Sequence, residues 1–469
     1  MVLMIMAGWY AYLIDVKGAF LNGRFENGEE LFMEVPEGFH KWFPKDGVVL
    51  KLLKTLYGLK QAAVQYWKEC NKAFNHMKYV RCKADPCLRF KWIKDDDGIA
   101  RLIVWLLWVD DCLILGDKKQ VLKAKNQMSE LFECDDVGEM KEYVGCKIER
   151  NWQERWVKLT QPVLLQSYED EFDLGYFRTP PRTPAEALDV LSKGEKEQLM
   201  PKKEDQKLYR KGVGKLLHMA RWTRPEMLNR VRELTRFMSG ATANHLAQMK
   251  RVMKYCLNFP KRGLFLKPNE IWNGTADYKF KIKGKSDSEY AKDTTRRSVN
   301  GWAVWLCGAA VAMRSKMMPI VALSVTEAEL FAATQCAQDM LFVLRVLNAL
   351  GLKVELPMVL EVDNKGAKDL TCNWSIGGRT RHVEVKMYFL RELKECGLII
   401  VRWCSGAKMT SDMYTKNLAG PLFDTHAQAF VGFDEYMKLK GDVKRVAEIN
   451  HGDVTHEGRV SDGLLGCRE

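Results

Sequence analysis

The stretch LLWVDDCLILG, residues 106–116, sets two adjacent carboxylates, Asp110 and Asp111, into an otherwise apolar run. Apolar flanks point to a buried strand, and burying two like charges side by side is costly unless something neutralises them. A third carboxylate, Asp15, closes another apolar run, YLIDV at 12–16. Asp is a common turn residue, so a strand running into a turn accounts for each of these alone. Gathered at the ends of neighbouring strands, all three would ionise at neutral pH and repel one another. Divalent cations remove that conflict. Mg²⁺ prefers hard oxygen ligands and leaves room for substrate phosphates. Two such ions about 4 Å apart can activate an attacking oxygen and stabilise a leaving one in phosphoryl transfer.

A second set of acids lies further along: Asp287 in GKSDSEYAKD, Glu329 in SVTEAELFAA, Asp363 in LEVDNKGA and Asp412 in KMTSDMYTK. Asp287 and Asp363 each follow strand-like runs. Glu329 sits near the start of a long helix of periodic apolar residues, and Asp412 opens another helical stretch. Taken singly, each has a plain structural reading, either compensation of a helix dipole or turn formation.

The elements that must position these groups follow from pattern and composition. The chain has 469 residues, of which 47% are hydrophobic. That suits about three domains with sizeable cores and excludes a disordered chain. The formal charge of +13 favours a polyanionic partner, either nucleic acid or an acidic membrane surface. The 13 Cys include no CxxC pair, so no zinc site is expected; a disulfide framework is not expected in a chain this long, and the thiols read as mostly buried groups in a reducing compartment. No uninterrupted apolar run approaches the ~20 residues of a membrane span. The apolar N-terminus lacks a basic n-region and a cleavage signature, so it reads as a core strand or helix and the chain as not secreted.

Residues 1 to about 160 mix short apolar runs with Gly-marked turns. A helix is expected in LKQAAVQYWKECNKAF, with Ala62, Tyr66, Ala73 and Phe74 on one side. Residues 178–206 are Pro-rich and charged and read as a linker. Residues 207 to about 262 are helical and basic, interleaved with Trp222, Phe237 and Tyr255, most of which spacing assigns to a core. From about 276, strand-like runs (GWAVWLCGAAVAM, MVLEVDN, LIIVRWC) alternate with helix-like ones, which indicates a mixed α/β sheet. The last fifty residues are polar and weakly patterned.

In this order, DVKGAFLNG, LYGLKQA and WVDD resemble the reverse transcriptase of copia-type LTR retrotransposons, with Trp108 at the usual Tyr of the YxDD box. The resemblance implies that Asp15, Asp110 and Asp111 hold two Mg²⁺ ions, with Mn²⁺ as an alternative. It places Phe20 under the incoming sugar, where its bulk would reject a ribose 2′-hydroxyl. Tyr57, Gly58, Lys60 and Gln61 would line the nucleotide and template side, with Gly58 permitting close approach of backbone. Ala63 and Val64 replace the family's Pro-Arg. YVGCKIERNWQERWVKLTQ resembles the family's next hairpin, which grips the primer end, with Gly145 at its tip.

The second set of acids, with TEAEL, VDN and DMYTKNL, resembles the ribonuclease H that follows copia-type reverse transcriptase. The resemblance implies a second two-metal site at Asp287, Glu329, Asp363 and Asp412, with Glu289 where the family has a second Asp. In GGRTRHVEVKMYFLRE, the group Arg379, Arg381 and His382 either contacts phosphates or forms a solvated loop. The resemblance spans roughly residues 8–433. The expected architecture is a multidomain α+β and α/β chain. Residues 1–160 form a reverse transcriptase palm with the fingers truncated, because the chain starts almost at Asp15. Residues 161–275 form a helical thumb or connection, residues 276–420 an RNase H-like mixed five-stranded sheet with helices, and 421–469 a loose tail. Implied partners are an RNA template, an RNA–DNA hybrid, a nucleic-acid primer and dNTPs, with no membrane. The implied location is cytoplasmic, in a virus-like particle, or nuclear. Two alternatives stay open: a degenerate chain that binds nucleic acid without catalysis, and a nuclease with a vestigial first half.

Overall fold

The run around Asp15 is flanked by apolar residues on both faces, and it becomes the strand about which the first unit is built. The structure, a computed structural model, describes residues 1–432 apart from 27, 40, 44–46, 176–179, 293 and 373–383, and only the backbone of 372 and 384–387. Helix α1 (Val2–Ala7) ends at Gly8, whose φ of 65° lets the chain reverse into strand β1 (Tyr10–Val16). Strands β2 (Phe32–Glu34) and β3 (Val49–Lys51) form a separate antiparallel pair. Next come helix α2 (Ala62–His76), strands β4 (Val80–Arg81), β5 (Leu88–Lys94), β6 (Ala100–Trp108) and β7 (Asp111–Gly116), helix α3 (Lys118–Ser129) and strand β8 (Cys134–Glu139). The sheet order is β4-β5-β6-β7-β1-β8. Tyr12, Ile14 and Val16 face α2 and α3 in one core, whereas Ala11 and Leu13 face a second core shared with α1. The four residues Ala62, Tyr66, Ala73 and Phe74 are all buried, as the helical spacing requires.

A four-stranded antiparallel sheet follows, made of β9 (Glu142–Tyr143), β10 (Cys146–Asn151), β11 (Trp156–Thr160) and the distant β12 (Leu264–Leu266). Between β11 and β12 run helices α4 (Pro162–Glu171), α5 (Lys203–Trp222), α6 (Leu228–Thr235) and α7 (Ala243–Asn258). Phe237 and Tyr255 are buried in their common core, while Trp222 stays partly exposed. The described part of the expected linker is packed rather than free. Thr183, Ala185, Leu191 and Met200 are buried, Asp189 Oδ2 lies 2.6 Å from Arg230 Nη2, and Ser192 O lies 2.9 Å from His245 Nε2. Proline and charge keep this segment out of helix and sheet, yet its scattered apolar residues still find a core.

In the third unit, β13 (Lys279–Phe280) pairs in parallel with β17 (Lys353–Val354). The main sheet has five strands: β14 (Ile282–Glu289), β15 (Val299–Leu306) and β16 (Ala309–Met317) run antiparallel, while β18 (Met358–Val362) and β19 (Ile399–Trp403) lie parallel beyond β14. Helix α8 (Val325–Ala349) covers one face through Leu330, Ala333, Cys336 and Met340, joined by Trp302 and Val304. By length and composition α8 could cross a bilayer, but half of its apolar window is buried inside this unit. The opposite face of the sheet, with Ala303, Trp305 and Met313, packs into the core of α4 to α7. Helices α9 (Lys365–Cys372), α10 (Glu384–Glu395) and α11 (Gly420–Val431) complete the described chain. The expected tail therefore begins with an ordered helix, because Phe423 and Phe430 of α11 are buried in that second core.

Replacing Phe430 with Ala should lower the unfolding free energy by about 3–5 kcal/mol, the usual cost of an emptied aromatic site. Urea denaturation checks this, and an unchanged midpoint would mean that α11 contributes nothing to the core.

Candidate active sites

The first carboxylates are brought together by a hairpin and its neighbour. Strands β6 and β7 pair Trp108 with Asp111, leaving Val109 and Asp110 as a two-residue turn. Val109 has a φ of 57°, a strained value for a β-branched residue. Asp15 is the register partner of Asp111, and Val16 N donates to Asp110 O at 3.0 Å. The three side chains are half-buried at one end of the β1–β7 pair. Burial raises the pKa of Asp15, and the charges of Asp110 and Asp135 add to it. Burial likewise raises that of Asp111, with Asp110 and Asp15 contributing. Asp135, opposite Asp15 on β8, went unremarked in the sequence, where it is one of two adjacent Asp in ECDDVGE; Lys17 Nζ lies 3.0 Å from it.

Phe20 sits in a short 3₁₀ turn with its ring 5.3 Å from that of Tyr57 and 6.3 Å from Tyr66, and Thr55 Oγ1 donates to its carbonyl. Tyr57 and Lys60 are exposed, Gly58 has a φ of 94°, and Gln61 Nε2 donates to Glu29 Oε1 at 2.7 Å. Gly145, with a φ of 72°, occupies the tip of the tight β9–β10 turn; the longer β10–β11 hairpin turns further on, at residues 152–155.

The second set converges more tightly. Asp287 is on the central strand β14, Glu329 on the first turns of α8, and Asp363 directly after β18. One oxygen from each lies within 4.8 Å of the others, the one such group among the described residues. Asp287 and Glu329 are 1% and 3% exposed, so their charges cannot be left to solvent. Asp412 is not part of that tight group; it is held nearby by a 3₁₀ turn at Thr410–Tyr414, which lies close over β15, where a Cβ on Gly301 would come within 2.9 Å of Ser411 O. Burial, then Asp287 and Asp363, raise the Glu329 carboxyl well above the carboxylate range. Burial, then Asp287, raise that of Asp363. Burial and Asp287 push Asp412 up to about 7 against the opposing charge of Lys416.

Glu329 Oε1 accepts from Ser288 N at 3.3 Å, whereas Glu329 Oε2 is buried with no hydrogen-bond partner. Thr415 Oγ1 donates to Asp287 Oδ2. Lys416, which no sequence pattern singles out, sits beside Asp287 and Asp412 at 3.5 and 3.4 Å. Arg379, Arg381 and His382 lie outside the described residues.

Comparison with known proteins fits the order of these motifs. Residues 1–180 match the family described as reverse transcriptase (RNA-dependent DNA polymerase). The retrovirus-related Pol polyprotein from transposon TNT 1-94 of Nicotiana tabacum is 32% identical over 418 residues, covering 86% of this chain and 29% of that protein. The Pol polyprotein from transposon RE1 of Arabidopsis thaliana is 28% identical over 423 residues, covering 89% of this chain and 27% of that protein. The chain thus spans under a third of the length of these relatives. Among solved structures, the N-terminal RNase H domain of Rv2228c from Mycobacterium tuberculosis aligns with 32% of this chain and 97% of its own. The match has 13% identity and a TM-score of 0.21, too slight a likeness to bear on the fold.

The raised Asp412 value has a consequence for stability. Its folded value is about 7 against an ordinary 3.8, so between these values the folded state holds a proton that the unfolded state has released. The stability this contributes is fully present below the unfolded value and is lost as pH rises through the folded one. In EDTA, the melting temperature should therefore fall more steeply from about pH 4 to pH 8 for the parent than for Asp412→Asn. Parallel melting curves across that range would refute the assignment.

Proposed function

Because the chain belongs to the copia-type retrotransposon Pol polyproteins, we propose that its third unit hydrolyses RNA in RNA–DNA hybrids and its first unit is the palm of an RNA-directed DNA polymerase. The observation that carries the nuclease reading is the convergence of Asp287, Glu329 and Asp363, with an oxygen of Glu329 buried and unpartnered. A hard divalent cation fits such a donor set, since all the donors are carboxylate oxygens whose mutual repulsion it would relieve. Asp287, Glu329, Asp363 and Asp412 would hold it. Bound Mg²⁺ or Mn²⁺ would supply a Lewis acid and lower the pKa of a coordinated water. The chain's own groups fix the acids in place: Ser288 N orients Glu329 and Thr415 orients Asp287. Hybrid duplex would be distinguished from other duplexes by its 2′-hydroxyls and groove shape.

In the first unit, Asp15, Asp110 and Asp111 are the proposed polymerase carboxylates, also with divalent metal. The Phe20–Tyr57 pair would meet the sugar of an incoming dNTP, and Gly58, Lys60 and Gln61 the template. The hairpin bearing Gly145 would meet the primer, and Arg379, Arg381 and His382 would contact phosphates. The charge of +13 suits the RNA template, hybrid and primer as partners. The proposed domains are residues 1–160, 161–275 and 276–420, with α11 added to the last body. The proposed setting is a virus-like particle in the cytoplasm, with the nucleus as a second location.

A nuclease-only reading is favoured by one contrast: among the described residues, the one group of three or more acids with oxygens within 4.8 Å of one another is Asp287, Glu329 and Asp363 of the third unit. RNA cleavage is accordingly the activity expected to be more robust. With Mg²⁺ the protein should cleave the RNA strand of a labelled hybrid. Asp363→Asn should cost more than about a hundredfold, since even outer partners of metal ligands cost 10–100-fold. An intact hybrid with the parent protein sinks the nuclease reading. Primer extension that is lost in Asp110→Asn supports the polymerase, and its absence in the parent supports nuclease alone.

A further inference from the structure

The charge balance of the third-unit site is not met by its acids alone. Lys416 Nζ lies 3.5 Å from Asp287 Oδ2, 3.4 Å from Asp412 Oδ1 and 3.7 Å from Glu289 Oε2. The lysine side chain is 26% exposed, while those of Asp287 and Asp412 are 2% and 13% exposed, so these pairs are little screened by water. Glu289 stands apart from the converging acids. It is two residues beyond Asp287 on β14 and therefore on the same face; like Asp412 it is outside the tight group, but unlike Asp412 it has a lysine of its own, with Lys292 Nζ 3.0 Å away.

The backbone that carries Lys416 is clamped by the next residue. Asn417 Nδ2 donates to Asp189 O at 2.6 Å and to Glu233 Oε2 at 3.2 Å, and Asn417 Oδ1 accepts from Asn229 Nδ2 at 2.9 Å. Any movement of the ammonium must therefore come from side-chain rotation. An ammonium and a divalent cation at the same two carboxylates repel each other within a few ångströms, in a place where the effective dielectric is low. The two cannot both be close to Asp287 and Asp412.

We propose that Lys416 is a tethered counter-cation, neutralising Asp287 and Asp412 while no metal is bound and competing with the divalent ion for them, and that Glu289 is the acid to which its head withdraws. This rests on the nuclease reading above. It makes Lys416 a positioning residue, one that stabilises the empty site and weakens metal binding. Glu289 keeps the displaced ammonium paired, so it favours the metal without ligating it. Because the metal enters only while the lysine is away from these two acids, the apparent metal affinity is the intrinsic one multiplied by the fraction of time the site is vacated.

The test is isothermal calorimetry with MnCl₂ and melting in EDTA on the full chain, all in an Asp110→Asn, Asp111→Asn background that silences the first triad. Lys416→Met should bind Mn²⁺ roughly tenfold more tightly and melt at a lower temperature in EDTA. Glu289→Gln should bind Mn²⁺ several-fold more weakly, and this loss should vanish when Lys416→Met is also present, a coupling that a double-mutant cycle measures. If Lys416→Met does not fold, Lys416→Gln serves the same comparison. Binding that is unchanged or weaker on losing the lysine, with the background protein still binding, overturns the counter-cation and leaves the nuclease reading standing. An equal Glu289→Gln loss in both backgrounds overturns the role of Glu289. No Mn²⁺ uptake by any of the variants overturns the nuclease reading itself.

Discussion

Like charges held close together in a poorly hydrated place are the constraint around which this structure is organised. Asp287 and Glu329 are almost fully buried, and each has another acid for a neighbour. Such an arrangement survives only where the framework resists relaxation. Here the framework is the central strand of a five-stranded sheet and a helix of 25 residues laid across it. The first unit follows the same logic more loosely: its acids sit at strand ends and stay half in contact with solvent, and the strain at Val109 is confined to a two-residue turn.

The helical segment is a structural part of the third unit as much as a joint between the others. Trp305 and Met313 on the outer face of the sheet share a core with Tyr209, Val231 and Tyr255. Beside that core runs a chain of buried charges. Arg224 Nε pairs with Glu226 at 2.5 Å, Tyr255 OH donates to Glu226, Arg262 reaches Tyr255 OH at 2.8 Å, and Arg262 lies 3.4 Å from Asp424 of α11. Burying one unpaired member of such a set is costly, so the network specifies one register between helices and sheet.

Much of this was legible in the residues. The helix at 62–76, the strand-like runs that become β15, β16, β18 and β19, and the long helix bearing Glu329 follow from apolar pattern, whereas a sheet of five strands follows only from the family resemblance. The order of the acids named a chemistry before any geometry was known. What pattern could not reach was tertiary. Residues 178–206 look like a linker because Pro and charge suppress regular elements, and only the fold supplies the pocket for Leu191 and the partner for Asp189. The helix after residue 419 is hard to read because it opens on Gly-Pro and the run DTH splits its apolar residues, although Phe423 and Phe430 are buried and anchor it. Lys416 and Asp135 carry ordinary side chains, and nothing in their local spacing announces the acids they meet across the fold.

Strand β12 holds a further lesson about how such a chain is assembled. Val157 of β11 pairs with Leu266, over a hundred positions later. Closing so long a loop is entropically expensive, and non-local strand pairing of this kind forms slowly. On a ribosome, β11 therefore waits with one edge unpaired while four helices are made. A segment ending at residue 180, where the family match stops, would keep that edge open permanently, and an open apolar edge is a template for aggregation. The polymerase-like half is thus capped by sequence that lies outside it.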